Sequence, residues 1–147
     1  MTEEDRTLLL KDLIARLPYG VKIALKNNGS YHHDNVAKKG DITIDKLKGF
    51  TGSYFNIYHS NPLDWDWYDD DIDIEDIKPY LFPLSSMTEE QWKEYQTLKM
   101  TDWVEGDING VFINAGTITD WLNKNHFDYR GLIEKGLAID ATDLNIY

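Results

Sequence analysis

A chain of 147 residues with 41% hydrophobic and 13% aromatic side chains is long enough for one domain, 1–147, and too aromatic to be compositionally disordered. It contains no cysteine, which excludes disulfides, thiolate zinc sites and thiol nucleophiles. Its net charge of −11, from 26 acidic against 15 basic residues, repels phosphate backbones. Nucleic acid is therefore a disfavoured partner, whereas a basic protein, a cation or nucleic-acid mimicry fits, beside plain solubility.

The opening MTEEDRTLLLKDL carries acids where a secretory leader would carry bases, and no apolar run nears the ~20 residues of a membrane span. The expectation is a cytoplasmic protein without a membrane segment. Residues 2–16 read as an amphipathic helix, with Thr2 as cap, Glu4 and Asp5 in the first turn, and Leu9, Leu10, Leu13, Ile14 and Leu17 as its apolar stripe. Pro18 stops it, and Tyr19-Gly20 turns the chain. Val21–Lys26 alternates with period two, so a strand is predicted with Val21, Ile23 and Leu25 facing inward. Asn27-Asn28-Gly29 is a hairpin signal, and Ser30–Gly40 reads as a polar loop. Further strands are predicted at Asp41–Leu47, Tyr54–His59 and Ile72–Ile77, separated by Gly49, Gly52 and the Asn61-Pro62 turn.

Pro79 and Pro83 bracket Tyr80-Leu81-Phe82, read as a short extended or single-turn exit from the sheet. Thr88 and Gln91 match a capping box opening a helix from Glu89 to about Lys99, with Trp92, Tyr95 and Leu98 on its buried side. Val104–Ile113 reads as a hairpin around Asn109-Gly110, after which Thr117 or Thr119 caps a short helix through Trp121, Leu122 and Lys124. Asn125–Tyr147 reads as turns packed over the domain with a frayed end. The fold class is α+β: a small antiparallel β-barrel, SH3-like in its specific form, or a curled sheet, with an N-terminal helix and C-terminal helices.

Three blocks carry a resemblance. They are Lys11–Lys22 (KDLIARLPYGVK), Ile74–Glu90 (IEDIKPYLFPLSSMTEE) and Asp120–Ala138 (DWLNKNHFDYRGLIEKGLA), roughly a third of the chain. Together they resemble a widespread group of small uncharacterised proteins of gut Bacteroides-type bacteria, their phages and mobile elements. The resemblance implies an accessory protein of mobile DNA and no catalytic residues.

The densest chemical feature runs from Asp64 to Asp76, where Asp64, Asp66, Asp69, Asp70, Asp71, Asp73, Glu75 and Asp76 surround Trp65, Trp67 and Tyr68. A calcium loop needs glycine at its sixth position and glutamate at its twelfth. Counting from Asp69 these are Ile74 and Tyr80, and counting from Asp64 the sixth is Asp69, so the motif fails. A solvated acidic segment remains, and its spaced carboxylates could imitate phosphates. Trp65 and Trp67 alternate with Asp64 and Asp66, so in a strand the rings share one face, as core residues or as a docking anchor. His32-His33-Asp34 point apart on an extended segment and meet no second ligand cluster, and His59 adds none.

His126-Phe127-Asp128-Tyr129-Arg130 is the most enzyme-like string, offering a base, a carboxylate and a cation. The structural alternative is that Phe127 and Leu132 are anchors, Asp128 caps a short turn and Arg130 pairs with a carboxylate. The scattered glycines form no phosphate loop, so no nucleotide cofactor is expected, and no metal ligand or catalytic residue is assigned. The reading is a non-enzymatic interaction module of phage or mobile-element origin. It docks a basic protein partner through Asp64, Trp65, Asp66, Trp67, Asp69, Asp70 and Asp71. Two alternatives stay open: a small enzyme or ligand binder using Tyr19 and His126–Arg130, and a nucleic-acid-binding barrel using Lys22, Lys26, Lys38, Lys39, Lys46 and Lys48. The oligomeric state is left open.

Overall fold

In the computed structural model, which describes residues 1–26, 42–51, 54–58, 72–101 and 108–147, the first element is helix α1 (Glu3–Arg16), capped by Thr2. The Thr2 hydroxyl accepts from the Asp5 N–H at 3.1 Å and donates to the Asp5 carboxylate at 2.8 Å. That bond, helped by the Lys135 ammonium 3.3 Å away, lowers the Asp5 pKa. Leu9 and Leu13 are fully buried, but Ile14, predicted in the same stripe, is 42% exposed. The buried face is instead Leu9, Asp12, Leu13 and Arg16. An acid and a base thus occupy positions where helical spacing calls for apolar residues.

A 3-10 turn, Leu17–Tyr19, ends at Gly20, whose φ of +65° is the left-handed conformation glycine adopts without a Cβ penalty. Three antiparallel strands follow: β1 (Lys22–Lys26), β2 (Ile42–Thr51) and β3 (Tyr54–Tyr58). The expected Asn27-Asn28-Gly29 turn and the Ser30–Gly40 loop lie outside the described residues. Val21, Ile23 and Leu25 face inward as predicted, joining Leu9, Leu13, Ile77 and Leu81 in the main core.

The strand predicted at Ile72–Ile77 is displaced. Asp73 accepts from the Glu75 N–H at 3.1 Å and caps a 3-10 turn, Ile74–Asp76. The strand itself, β4 (Ile77–Pro83), takes the segment read as an exit from the sheet. Pro79, Tyr80 and Leu81 are consecutively buried, the pattern of a strand covered on both faces rather than of an alternating one. β4 pairs antiparallel with β1, with Ile23 opposite Pro79 and Ala24 opposite Lys78. A proline nitrogen donates nothing, so the Ile23–Pro79 rung is one that exchanges no hydrogen bond, and a proline can sit inside the sheet.

The capping box is present at the second helix, α2 (Glu89–Thr101): Thr88 N–H donates to the Gln91 side chain at 2.9 Å, and Gln91 N–H to the Thr88 hydroxyl at 3.2 Å. Trp92, predicted in its buried stripe, is 49% exposed, while Tyr95 stacks on Trp121. The hairpin expected around Asn109-Gly110 is instead helix α3 (Ile108–Lys124), so Thr117 and Thr119 are interior helix residues and not caps. The apolar residues Ile108, Val111, Phe112, Ala115, Ile118 and Leu122 repeat at helical spacing, which outweighs one turn dipeptide. Val104–Asp107 lie outside the described residues.

Two short strands, β5 (Phe127–Asp128) and β6 (Ile139–Asp140), pair parallel with β4. Ala141 N–H donates to Leu81 O at 2.8 Å, and Phe82 N–H donates to His126 O at 2.9 Å. Those two β4 groups belong to one peptide unit and point opposite ways, so β6 and β5 flank β4 on its two sides. Among the described residues the sheet is six-stranded, in the order β3-β2-β1-β4-β5 with β6 also on β4. The fold is α+β with terminal helices, as predicted, and of the two sheet forms left open it takes the curled or open one.

The end of the chain is not frayed. The Tyr147 hydroxyl accepts from Lys22 N–H at 3.0 Å and donates to Tyr80 O at 2.8 Å, bridging β1 and β4 one rung beyond Ile23–Pro79. The Lys22 ammonium donates to Ile146 O. Burial pushes the Tyr147 hydroxyl up to about 12, so it stays a neutral donor.

Two alanine substitutions with opposite signs check the backbone. Gly20→Ala is expected to destabilise by about 1–2 kcal/mol because of its positive φ. Gly116→Ala, in the exposed interior of α3 with nothing within 4 Å of a new Cβ, is expected to stabilise by about 0.5–1 kcal/mol. Urea unfolding of the two variants measures both.

Candidate functional site

The His126–Arg130 string lies where α3 ends and β5 begins, and it meets the inward face of α1. Asp12 and Arg16, four apart on that face, are both 0% exposed. Arg16 Nε donates to Asp12 Oδ2 at 2.7 Å and Nη2 to Asp12 Oδ1 at 3.0 Å. The same Nη2 donates to Phe127 O at 2.8 Å, so the helix grips the backbone of β5. Arg130 approaches from the other side, its Nε 3.4 Å from Asp12 Oδ1.

Tyr129 sits between the cations. The Arg16 guanidinium carbon lies 5.6 Å and that of Arg130 4.9 Å from the ring centre, within the range of cation–π attraction. The Tyr129 hydroxyl donates to Asn123 of α3 at 3.2 Å and accepts from Arg130 at 2.8 Å. Asp128 serves the backbone. Its carboxylate accepts from the N–H groups of Arg130, Leu132 and Ile133 at 3.3, 2.9 and 2.8 Å, fixing the turn after β5. Phe127 and Leu132 are buried anchors. Phe127, Asp128, Arg130 and Leu132 thus sit as the structural alternative describes them.

His126 is 8% exposed and adopts φ +57°, at the position after a helix where glycine is usual. Its N–H donates to Asn123 O at 3.1 Å, and its ring stacks on Tyr147 with centroids 4.1 Å apart. Burial, with a further push from the Arg16 guanidinium, holds its pKa down at about 4. The ring is therefore neutral at pH 7, and its Nδ1 has no partner among the described residues. Arg16 Nη1 is likewise without a hydrogen-bond partner there. A general base must reach a substrate proton, whereas this imidazole is stacked inside the chain.

Tyr19, the other member proposed for an enzymatic site, hydrogen-bonds the Asp120 carboxylate of α3. Burial and the Asp120 carboxylate of α3 raise its pKa. Among the described residues, no three His, Asp or Glu side chains come together as a metal site. Nor is any described helix long and apolar enough to cross a membrane. Asp64, Trp65, Asp66, Trp67, Asp69, Asp70 and Asp71 lie outside the described residues, as do His32, His33, Asp34 and His59. The described end of the acidic run, Asp73 and Glu75, has half-exposed side chains that Arg6 of α1 approaches at 3.5 and 3.9 Å.

Asp12 and Arg16 were the residues hidden from sequence reasoning. The signal that could have found them is their acid-to-base spacing of four inside an otherwise leucine-lined stripe. Comparison with protein families, with curated proteins and with solved structures returns no match.

Removing one member of a buried pair leaves its partner uncompensated. Asp12→Asn is expected to cost about 3–5 kcal/mol in urea unfolding, and the double change Asp12→Leu with Arg16→Met less than the sum of the two singles. His126 gives a pH signature. Its folded pKa of about 4 lies below the ordinary 6.5, so the unfolded chain takes up the proton first as pH falls. Stability from this group is full above pH 6.5 and declines toward pH 4, by on the order of 3 kcal/mol. His126→Asn, which tolerates the same φ, is expected to flatten that slope in unfolding measured across pH 4–7.

Proposed function

We propose that this chain is a non-enzymatic protein-interaction module, of phage or mobile-element origin, that docks a basic partner through the acidic and aromatic segment Asp64–Asp76. The observation that carries this reading is the internal use of the one enzyme-like string. Arg16 and Arg130 are directed at Asp12, Asp128 is directed at backbone N–H groups, and His126 is stacked and neutral. Groups so engaged support a structural clamp better than general acid–base chemistry. Surface charge is therefore the chemistry proposed for function.

Eight of the 26 acids fall in the thirteen residues Asp64–Asp76, beside Trp65 and Trp67. Such a density favours a cationic surface, and a tryptophan pair supplies apolar contact for a docking anchor. Half-exposed Asp73 and Glu75 at the described end of the run are consistent with an acidic surface there. A nucleic-acid mimic aimed at a DNA-binding protein is the specific form proposed.

Affinity capture from a Bacteroides-type lysate tests the reading. A basic protein is expected to be retained at about 50 mM salt and released at about 500 mM, where screening shortens to a few ångströms. The triple variant Asp69→Asn, Asp70→Asn, Asp71→Asn should lose it. Undiminished retention by that variant would refute the reading.

A further inference from the structure

The cross-strand register assembles a second surface. With a side-chain period of two, Lys22, Ala24 and Lys26 of β1 share a face with their partners Lys46, Ile44 and Ile42 of β2 and with Lys78 of β4. Ile23 and Leu25 point the other way, into the core, so this face is turned outward. Part of it is covered: Ala24 and Tyr80 are buried with Ala141, and Lys22 is tied to Ile146. Beyond that cover, Ile42 is 65% and Ile44 49% exposed, and Lys26, Lys46 and Lys78 are exposed around them.

Two features set this strip apart. Lys22 and Lys46 are directly opposite one another, a like-charge pairing that opposes the ladder. Among the described residues, moreover, Lys26, Lys46 and Lys78 make no ion pair, in a chain with 26 acids. An apolar centre with a polar rim is the anatomy of a protein interface, and the described lysines of this rim, Lys26, Lys46 and Lys78, share one sign.

We infer that this face is a docking surface for an acidic, apolar segment of a partner protein, with Ile42 and Ile44 as the contact centre and Lys26, Lys46 and Lys78 pairing with its carboxylates. A second copy of the same face is disfavoured, because its lysines would meet these. A nucleic-acid duplex or an anionic membrane presents charge over distances well beyond the ~8 Å screening length, so three lysines would pair with only a small part of it. A short acidic segment feels mainly the local lysines. The described centre of the face, Ile42 and Ile44, is aliphatic and gives bases nothing to stack on.

The test titrates the full chain with a fluorescent twelve-residue peptide alternating Glu and Leu. Parallel titrations use a Glu/Ser peptide, a Lys/Leu peptide, oligo(dT) and phosphatidylserine vesicles. The Glu/Leu peptide is expected to bind tightest, and the variants Ile42→Thr with Ile44→Thr and Lys26→Gln with Lys46→Gln with Lys78→Gln should each weaken it at least tenfold. Circular dichroism identifies variants that remain folded, and exchanging one isoleucine or one lysine at a time supplies milder ones. Absence of Glu/Leu binding, equal binding by folded variants, or tighter binding of oligo(dT) or vesicles overturns the inference. Asp69→Asn, Asp70→Asn, Asp71→Asn should leave peptide binding unchanged, which separates this surface from the acidic one.

Discussion

The bidentate pair between Asp12 and Arg16 is fully buried, and two charges taken out of water are stabilising only if their remaining donors and lone pairs are met. The C-terminal segment meets most of them. Phe127 O takes the second bond of Arg16 Nη2, Arg130 approaches the free side of Asp12, and Tyr129 lays its ring against both guanidinium groups. Because α1 and β5 are more than a hundred residues apart, this cluster closes a long loop of the chain. It places β5 on β4, and with it the turn that Asp128 organises. A continuous set of ring contacts, Tyr95–Trp121–Phe127–Phe82–Tyr147–His126, ties the same junction to α2 and α3.

What was legible in the sequence was local. The Thr2 cap and the Thr88–Gln91 box involve residues three apart, and both are present as read. The role of Asp128 is local too, since its carboxylate reaches N–H groups only two to five residues on. What misled was a local signal overruled at longer range. Asn109-Gly110 favours a hairpin, but it lies in a run whose apolar spacing is helical, and α3 forms. β5 and β6 are two residues each and exist only because β4 offers them hydrogen bonds, so no pattern within them could announce a strand. Nothing local marks the Asp12–Arg16 pair as buried, because burial of ions is decided by partners distant in sequence.

Net charge proved a coarse guide to surfaces for a similar reason. At physiological ionic strength a charge is felt over only about 8 Å, so each face of the domain acts nearly on its own. The described acids near the start of α1 and the lysines across β1, β2 and β4 lie on separate elements. A chain of charge −11 can therefore carry a face of the opposite sign.

Pro79 has a consequence for how the sheet finds its pairing. Opposite Ile23 its missing N–H costs nothing, because that rung exchanges no bonds. Shifting β4 by one residue against β1 would bring the imide nitrogen onto a bonding rung and turn Lys78 toward the leucines under α1. The misaligned sheet would lose a hydrogen bond and bury a charge together. Pro79 thus acts as a register key, making the nearest wrong alignment of the central strands a dead end during folding.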